Sequence, residues 1–458
     1  MKILLCGAHG FVGRHLSRTL EQAGHTVIHG VHQFSTNTTE QRRELLIDYA
    51  KDTYLEIWEK RFAALGKIDI VINAVGVLMQ SQKTPFSALH CDAPIALFQA
   101  ASSAGVRGIL QISALGPDDR EPETKANCKP LSEYLQTKRA ADQFLSQLHS
   151  PHLILRPSLI VGIDGASSQL FRSLASLPVI ALPGRGEQQL QPVHIDDICH
   201  CVRTWATQVA ANTAAQHQMI RAVGPQPITY REMLQHYRDV MNLSPAMFIH
   251  VPISAMRIGA LLARYLPQKV FAPETLQMLE QGNVADSVAF TQFLGQAPRG
   301  ANTWFADQQA EALASVAIAS WSQLLFRLIL AFLWISTGLI SLWIYPRENS
   351  LHLLSQVSIN GLAATMVLYL AISFDVLLGI STLSHPSKNL WLCQTVLILT
   401  YSFIIGVCLP EYLAHPFAPI LKNLPILAIL FVLLASEKNS AKFNHPRIKT
   451  RTKLRIKQ

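Results

Sequence analysis

Residues 4–13 read LLCGAHGFVG. Apolar and small residues run directly into glycines at positions 7, 10 and 13. That order predicts a buried strand, a tight turn and the start of a helix. Such a turn lets the backbone approach a pyrophosphate, whose charge the helix N-terminus stabilises. The spacing G-x-x-G-x-x-G is one residue longer in its first gap than the commonest dinucleotide fingerprint, so its meaning depends on the chain around it.

Outward from this loop, residues 1 to about 160 alternate strand-like and helix-like segments. KILLCGA is a first strand, and VGRHLSRTLEQAG is an amphipathic helix with Val12, Leu16 and Leu20 on one face and Gly24 closing it. HTVIHGVH is a second strand. IDIVINAVG (68–76), RGILQISALG (107–116) and HLILRPSLIVG (152–162) are near-continuous apolar runs, as expected of parallel strands covered on both faces. Strands separated by helices imply βαβ units and a doubly wound parallel sheet, an α/β fold of the Rossmann type. From about 163 to 305 the pattern loosens into a smaller lobe, in which Thr229 and Glu232 have the spacing of a helix capping box. Residues 306–323 read as a helical connector.

The composition then changes. Hydrophobic residues make up 49% of the 458 and charged residues only 15%, against about 25% charged in soluble domains. The deficit is concentrated in four apolar stretches, 324–345, 359–380, 390–409 and 417–435, the last interrupted by Pro419, Lys422 and Asn423. A bilayer crossing needs about 20 apolar residues, so 324–436 is expected to be an all-α, four-helix transmembrane domain. The formal net charge of +9 owes much to the basic tail 437–458. Such a tail faces the cytoplasm. Four crossings then return the N-terminal domain to that side of the cell (inner) membrane. The charge implies no nucleic-acid partner, because no aromatic-interleaved basic motif accompanies it. Asp375 and Lys422 fall inside predicted spans, with Glu411 the expected partner of Lys422, and Arg327 is expected to reach the interface.

The seven cysteines (6, 91, 128, 199, 201, 393, 408) contain no C-x-x-C pair. Cys199-His200-Cys201 reads as core helix, and no metal site is expected. YLQTK places Tyr134 and Lys138 at i and i+4 on one helix face. A phenol has an ordinary pKa near 10, and a neighbouring ammonium favours its ionised form. Lys138 would supply that charge and bond a ribose. Ser113, in ISALG, would orient a substrate carbonyl, and Asn73 ends a strand near the same cleft.

GAHGFVG, IDIVINAVGVL, ISALG, YLQTK, LRPSLIVG and QPVHIDDI occur in the order found in short-chain dehydrogenases/reductases. Residues 1 to about 300 resemble the atypical, extended branch of that family, related to the NAD(P)H-binding accessory subunit of respiratory complex I. The resemblance implies that Gly7, Gly10 and Gly13 bind pyrophosphate and that Asp48 faces the adenine. It further implies that Phe11, Val12, Arg14, His32, Asn73 and Pro157 line the cofactor, and that Ser113, Tyr134 and Lys138 are catalytic, the last two also touching cofactor. WISTGLISL, FDVLLG and HPFAPILKNLP resemble the DoxX-like four-helix membrane domain. His32 is neither the carboxylate that favours NAD(H) nor the arginine that favours NADP(H). With Arg14, Arg42 and Arg43 nearby, NADP(H) is the expected cofactor.

Three functions follow. The first is a membrane-anchored NAD(P)H-dependent oxidoreductase acting on a lipophilic carbonyl or quinone. The second is a non-catalytic NADP(H)-binding subunit or assembly factor in a membrane complex or homo-oligomer. The third is a nucleotide-sugar epimerase or dehydratase, disfavoured by the lack of a basic pocket signature for the sugar-nucleotide pyrophosphate.

Overall fold

A computed structural model of the chain describes residues 1–35, 43–78, 84–119, 131–215, 217–262, 273–413 and 418–437. Arg42, Cys128 and the tail from 438 onward lie outside them. The chain divides into two units, Met1–Ile318 and Ala319–Gln458.

The first unit is built on a parallel sheet. Its strands in chain order are β1 (Lys2–Cys6), β2 (Thr26–Val31), β3 (Glu44–Leu46), β4 (Ile70–Asn73), β5 (Gly108–Ile112) and β6 (His152–Pro157), with α1 (Phe11–Gln22) after β1. The short strands β7 (Ile160–Val161), β8 (Val179–Pro183), β9 (Gln189–Leu190) and β10 (Val193–His194) precede β11 (His217–Ala222), which joins the main sheet. The order β11-β6-β5-β4-β1-β2-β3 reverses direction between β1 and β4, the switch point at which such sheets bind ligands. Side chains alternate between two cores, one on each face: Ile3, Leu5, Ile70 and Ile72 on one side, Leu4, Cys6 and Val71 on the other. That two-sided burial is why these strands read as unbroken apolar runs. Cys199 and Cys201 lie in the first of these cores, on the helix Ile195–Ala210.

Two strands of the sheet, β3 and β11, have no counterpart in the sequence reading. The run 152–162 is also divided: β6 ends at Pro157, and β7 pairs with β10 in a separate two-stranded sheet. Tyr230, Met233, Tyr237, Trp304 and Phe305 belong to a further core of the first unit. Thr229 and Glu232 form the expected capping box at the start of the helix Tyr230–Val240. Leu313, Ala314 and Ala317 belong to the same core, so the first unit runs on into the helix Ala310–Leu339.

The second unit is helical. Among the described residues, three helices are long and apolar enough to cross a membrane: Ala310–Ile344 (35 residues, its last turn π-helical), Gly361–Ser384 (24) and Lys388–Cys408 (21). A fourth apolar helix, Asn423–Ser436, has 14 residues, about 21 Å at 1.5 Å per residue against a hydrocarbon core of about 30 Å. A further helix, Arg347–Gln356, unanticipated from the sequence, follows the first span. Leu330, Trp334, Leu378, Trp391, Ile398, Leu430 and Leu433 form the bundle core. Gly338 and Gly379 allow close approach: a Cβ on Gly379 would stand 3.0 Å from the Ala331 carbonyl oxygen. Arg327 donates to the Thr382 and Leu383 carbonyls, in the last turn of the Gly361–Ser384 helix. Asp375 stands nine residues before the end of its helix and is buried.

Candidate functional site

The glycine turn has the shape of an anion cradle. Gly7 has a φ of +85°, which a side chain would strain, and a Cβ there would come within 2.9 Å of the Ala74 carbonyl oxygen. A Cβ on Gly13 would collide with the Gly7 carbonyl oxygen. Gly10 is the N-cap of α1 and brings no side chain to cap it, so the first N–H groups of the helix are left for a ligand. The residues present therefore fit a dinucleotide pyrophosphate. Phe11 and Val12 are half-buried, and the Phe11 ring packs where Gly162 and Gly165 leave space.

Around this turn, several expected cofactor residues have other partners. Arg14 is exposed and pairs with Asp164 at 2.8 Å. Arg43 lies 3.8 Å from Glu21. His32 is exposed. Asp48 accepts from the Ala50 N–H and pairs with Lys51 at 3.1 Å. Pro157 is buried at the end of β6. Asn73 is fully buried; its amide donates to Gln111 at 2.7 Å and accepts from the Tyr49 hydroxyl and the Val75 N–H. Its side chain braces β4 against β5 and does not present a free group to a ligand. An acidic group the sequence reading passed over, Glu44 on β3, takes the Ser35 N–H at 2.7 Å and His9 of the glycine turn at 3.0 Å. Its carboxylate is wholly buried.

Tyr134 and Lys138 lie on the helix Glu133–Ser146, capped by Ser132. Both are buried. Lys138 Nζ donates to the Val75 and Ile112 carbonyls, 3.1 Å each, at the carboxyl edge of β4 and β5. Burial lowers its pKa to about 8, with Asp142 opposing. Burial raises the Tyr134 phenol to about 12, and the charges acting on it are Arg139 and Asp142. Lys138 is not among the charges acting on the phenol, because its ammonium is turned to the two carbonyls. Ser113 donates to Asp142 at 2.7 Å. Asp142 also takes Arg156 at 3.0 Å; burial raises its carboxyl, opposed by Arg156, Ser113 and Arg139. Phe86 and His90, which the sequence reading did not single out, pack against the Tyr134 ring at 5.8 and 5.1 Å.

The glycine turn and the Tyr–Lys pair meet through one short segment. Ala74 limits the space at Gly7, Val75 holds Lys138, and a Cβ on Gly76 would lie 3.5 Å from Lys138 Nζ.

Comparison with known proteins places these features in context. Residues 3–220 match the NAD dependent epimerase/dehydratase family, and residues 331–431 match the DoxX-like family. A protein of Caulobacter vibrioides (strain NA1000 / CB15N) named ceramide reductase is 27% identical over 203 residues. That alignment covers 43% of this chain and 57% of the relative, so the match spans little more than half of its length. Among solved structures, MoeE5 in complex with UDP-glucuronic acid and NAD superposes with a TM-score of 0.51 at 18% identity, over 70% of this chain and all of that one. A UDP-glucose 4-epimerase of Thermotoga maritima, solved with UDP-glucose, gives 0.49 at 16% identity over 70% and 99%. The first of these likenesses shows the fold.

Proposed function

Taking the chain as an NAD-binding domain of the epimerase/dehydratase, short-chain dehydrogenase type joined to a DoxX-like domain, we propose that it is a membrane-anchored, nicotinamide-dependent reductase of a lipid carbonyl. The observation that carries this reading is the segment 74–76, which borders the glycine turn and holds Lys138. Three further features support it. The side chains packed around Tyr134 include Phe86, Ala114 and Leu135, with Val77 and Leu78 against them, an apolar setting for a reacting carbonyl. Three helices of membrane-crossing length follow the nucleotide domain. The relative named ceramide reductase favours an oxidoreductase of long-chain lipids. The location that goes with this reading is the cell (inner) membrane, with the nucleotide domain and the basic tail on the cytoplasmic side.

In this reading Gly7, Gly10, Gly13 and the N-terminus of α1 hold the pyrophosphate. Lys138 would hold a ribose hydroxyl of the cofactor. A bound reduced nicotinamide supplies hydride. Tyr134 holds the proton that the substrate oxygen takes; a phenol buried to a pKa of about 12 is a donor at neutral pH. The packed surroundings keep water from that oxygen. For the cofactor, His32 and the absence of an acid at the end of β2 favour NADP(H). The pairing of Arg14 with Asp164 and the presence of Glu44 beside His9 weigh towards NAD(H).

The test is titration of the full-length protein in detergent with NADPH and NADH, followed by turnover on a ketone-bearing ceramide analogue. Binding is expected to disappear in Gly10→Asp. Tyr134→Phe is expected to lower kcat by about 100-fold or more while cofactor affinity stays within twofold. Failure of both nucleotides to bind, or undiminished turnover in Tyr134→Phe, overturns the reading. The family match also accommodates a nucleotide-sugar epimerase or dehydratase; a cofactor whose redox state is unchanged over complete turnover of such a sugar would establish that reading instead.

A further inference from the structure

His90 packs against Tyr134 beside the Tyr134–Lys138 pair. It lies on the π-helical turn Ser87–Asp92 and is completely buried. Turns of this kind occur often at functional sites. The Val77 N–H donates to His90 Nε2 at 3.2 Å. A ring nitrogen that accepts carries no proton, so the neutral imidazole holds its hydrogen on Nδ1. Burial, then the Lys138 ammonium, hold the ring's pKa down at about 2, so it remains neutral at any working pH. Nδ1 is buried and has no hydrogen-bond partner among the described residues. Phe86 stacks on the ring at 5.1 Å, and Tyr134 meets it edge-on, also at 5.1 Å, with the planes at 88°. An unpaired buried donor costs about 1–3 kcal/mol, and a phenylalanine at 90 would keep both ring contacts without that cost.

Ser113, the residue expected to orient the substrate, has its only hydrogen committed elsewhere. Asp142 accepts from Ser113 at 2.7 Å and from Arg156 at 3.0 Å. An ionised carboxylate can only accept, so the Ser113 hydroxyl is the donor in that bond.

We propose that His90, and not Ser113, is the second hydrogen-bond donor to the substrate oxygen beside Tyr134, and that this oxygen is the carbonyl of a ketone or aldehyde on an apolar body. The inference rests on the reductase reading. A carbonyl oxygen accepts two hydrogen bonds and donates none, which matches Tyr134 O–H and His90 Nδ1–H. The apolar side chains beside them, Ala114 and Leu135 among them, suit the attached chain.

The test uses the full-length protein in detergent micelles with NAD⁺, which forbids reduction, and 2-tridecanone labelled with ¹³C at its carbonyl. Isotope-edited infrared spectroscopy reads the bound carbonyl. The wild type is expected to shift the band to lower frequency than in micelles alone. His90→Phe is expected to lose most of that shift, His90→Gln, which retains an N–H donor, to keep part of it, and Ser113→Ala to keep it. NADH affinity and melting temperature check that each variant is folded; should His90→Phe fail that check, His90→Met takes its place. An unshifted band in the wild type overturns the inference whatever the cofactor does. A shift that survives His90→Phe, or is lost in Ser113→Ala, also overturns it. Failure of the wild type to bind NADH overturns the reductase reading instead, and a His90-dependent shift would still stand.

Discussion

The two units fix their helices by different chemistry. In the first, the helix Glu133–Ser146 is tied to the sheet by formal charges. Asp119 takes Arg156 at 2.7 Å and Arg139 at 2.7 Å, Asp118 takes Arg139 at 2.6 Å, and Arg221 approaches Asp119 at 3.4 Å. In the second, the polar groups that join the helices are largely neutral. Trp334 Nε1 donates to Gln394 at 3.0 Å, Gln394 donates to Thr382 at 2.8 Å, and Thr382 donates to the Leu378 carbonyl. The arginines of the first network keep 12–37% of their side chains exposed, so water offsets part of the cost of gathering charge. A helix in hydrocarbon has no such solvent, and a charge at its centre costs about 3 kcal/mol or more. Amide, hydroxyl and indole groups can satisfy one another completely without it.

The largest effect that would break this contrast is at Asp119. Its side chain is 1% exposed and its two oxygens serve three arginines and the Gly116 N–H. Asp119→Asn takes one counter-charge each from the nearly buried Arg139 and Arg156, leaving Arg139 with Asp118 and both with Asp142. Breaking a buried pair costs up to about 3–5 kcal/mol. Thermal unfolding of the full-length protein in detergent, followed by protease susceptibility of the first unit, is expected to show that loss. A cost below about 1 kcal/mol would mean that the network only decorates the surface.

A second prediction concerns pH and the same helix. Lys138 has a folded pKa of about 8 against an ordinary 10.5. Between these values the unfolded chain binds the proton and the native state sheds it, so stability contributed by this group rises with pH across the window. Below about pH 8 the ammonium is charged in both states and its burial counts against the fold. The full difference amounts to roughly 3 kcal/mol. Relative to Lys138→Met, the wild type should gain stability from pH 8 to pH 10.5. Parallel stability curves for the two proteins over that range would remove the claim.

The same contrast explains what could be read from the sequence. Strands buried on both faces have to be apolar throughout, so β1, β4, β5 and β6 were legible as runs, and the i, i+4 spacing of Tyr134 and Lys138 was legible once a helix was inferred there. Exposed edge strands lack that signature: β3 has three residues, and His217–Ala222 contains His, Gln and Arg. Asn73 was placed near the cleft because a strand end can face either ligand or core, and only the Gln111 and Tyr49 contacts decide between them. His90 gave no local signal, since one histidine in an apolar helix looks like core; its exposed significance lies in Val77, Phe86 and Tyr134, brought to it by tertiary packing. In the second unit, hydropathy located the apolar helices but could not reveal that Gln394, fully buried, joins its own helix to two others.

Gln394 therefore supplies the sharpest test of the comparison, although its effect is the smallest. Gln394→Leu keeps the volume and suits hydrocarbon, but it leaves the Trp334 indole N–H without its acceptor and removes a donor to Thr382. Thr382 keeps its bond to the Leu378 carbonyl, so the damage centres on one indole. Polar contacts between membrane helices are worth about 0.6–2 kcal/mol, and a loss of that order is expected in unfolding of the full-length protein by sodium dodecyl sulfate. Changing Trp334→Phe in the same background removes the orphaned donor as well. If the neutral network works as argued, the double variant recovers part of the loss, because no unsatisfied polar group remains. A double variant no more stable than Gln394→Leu would show that the indole contributes by packing alone, and the distinction between a charged and a neutral network would then rest on the first unit only.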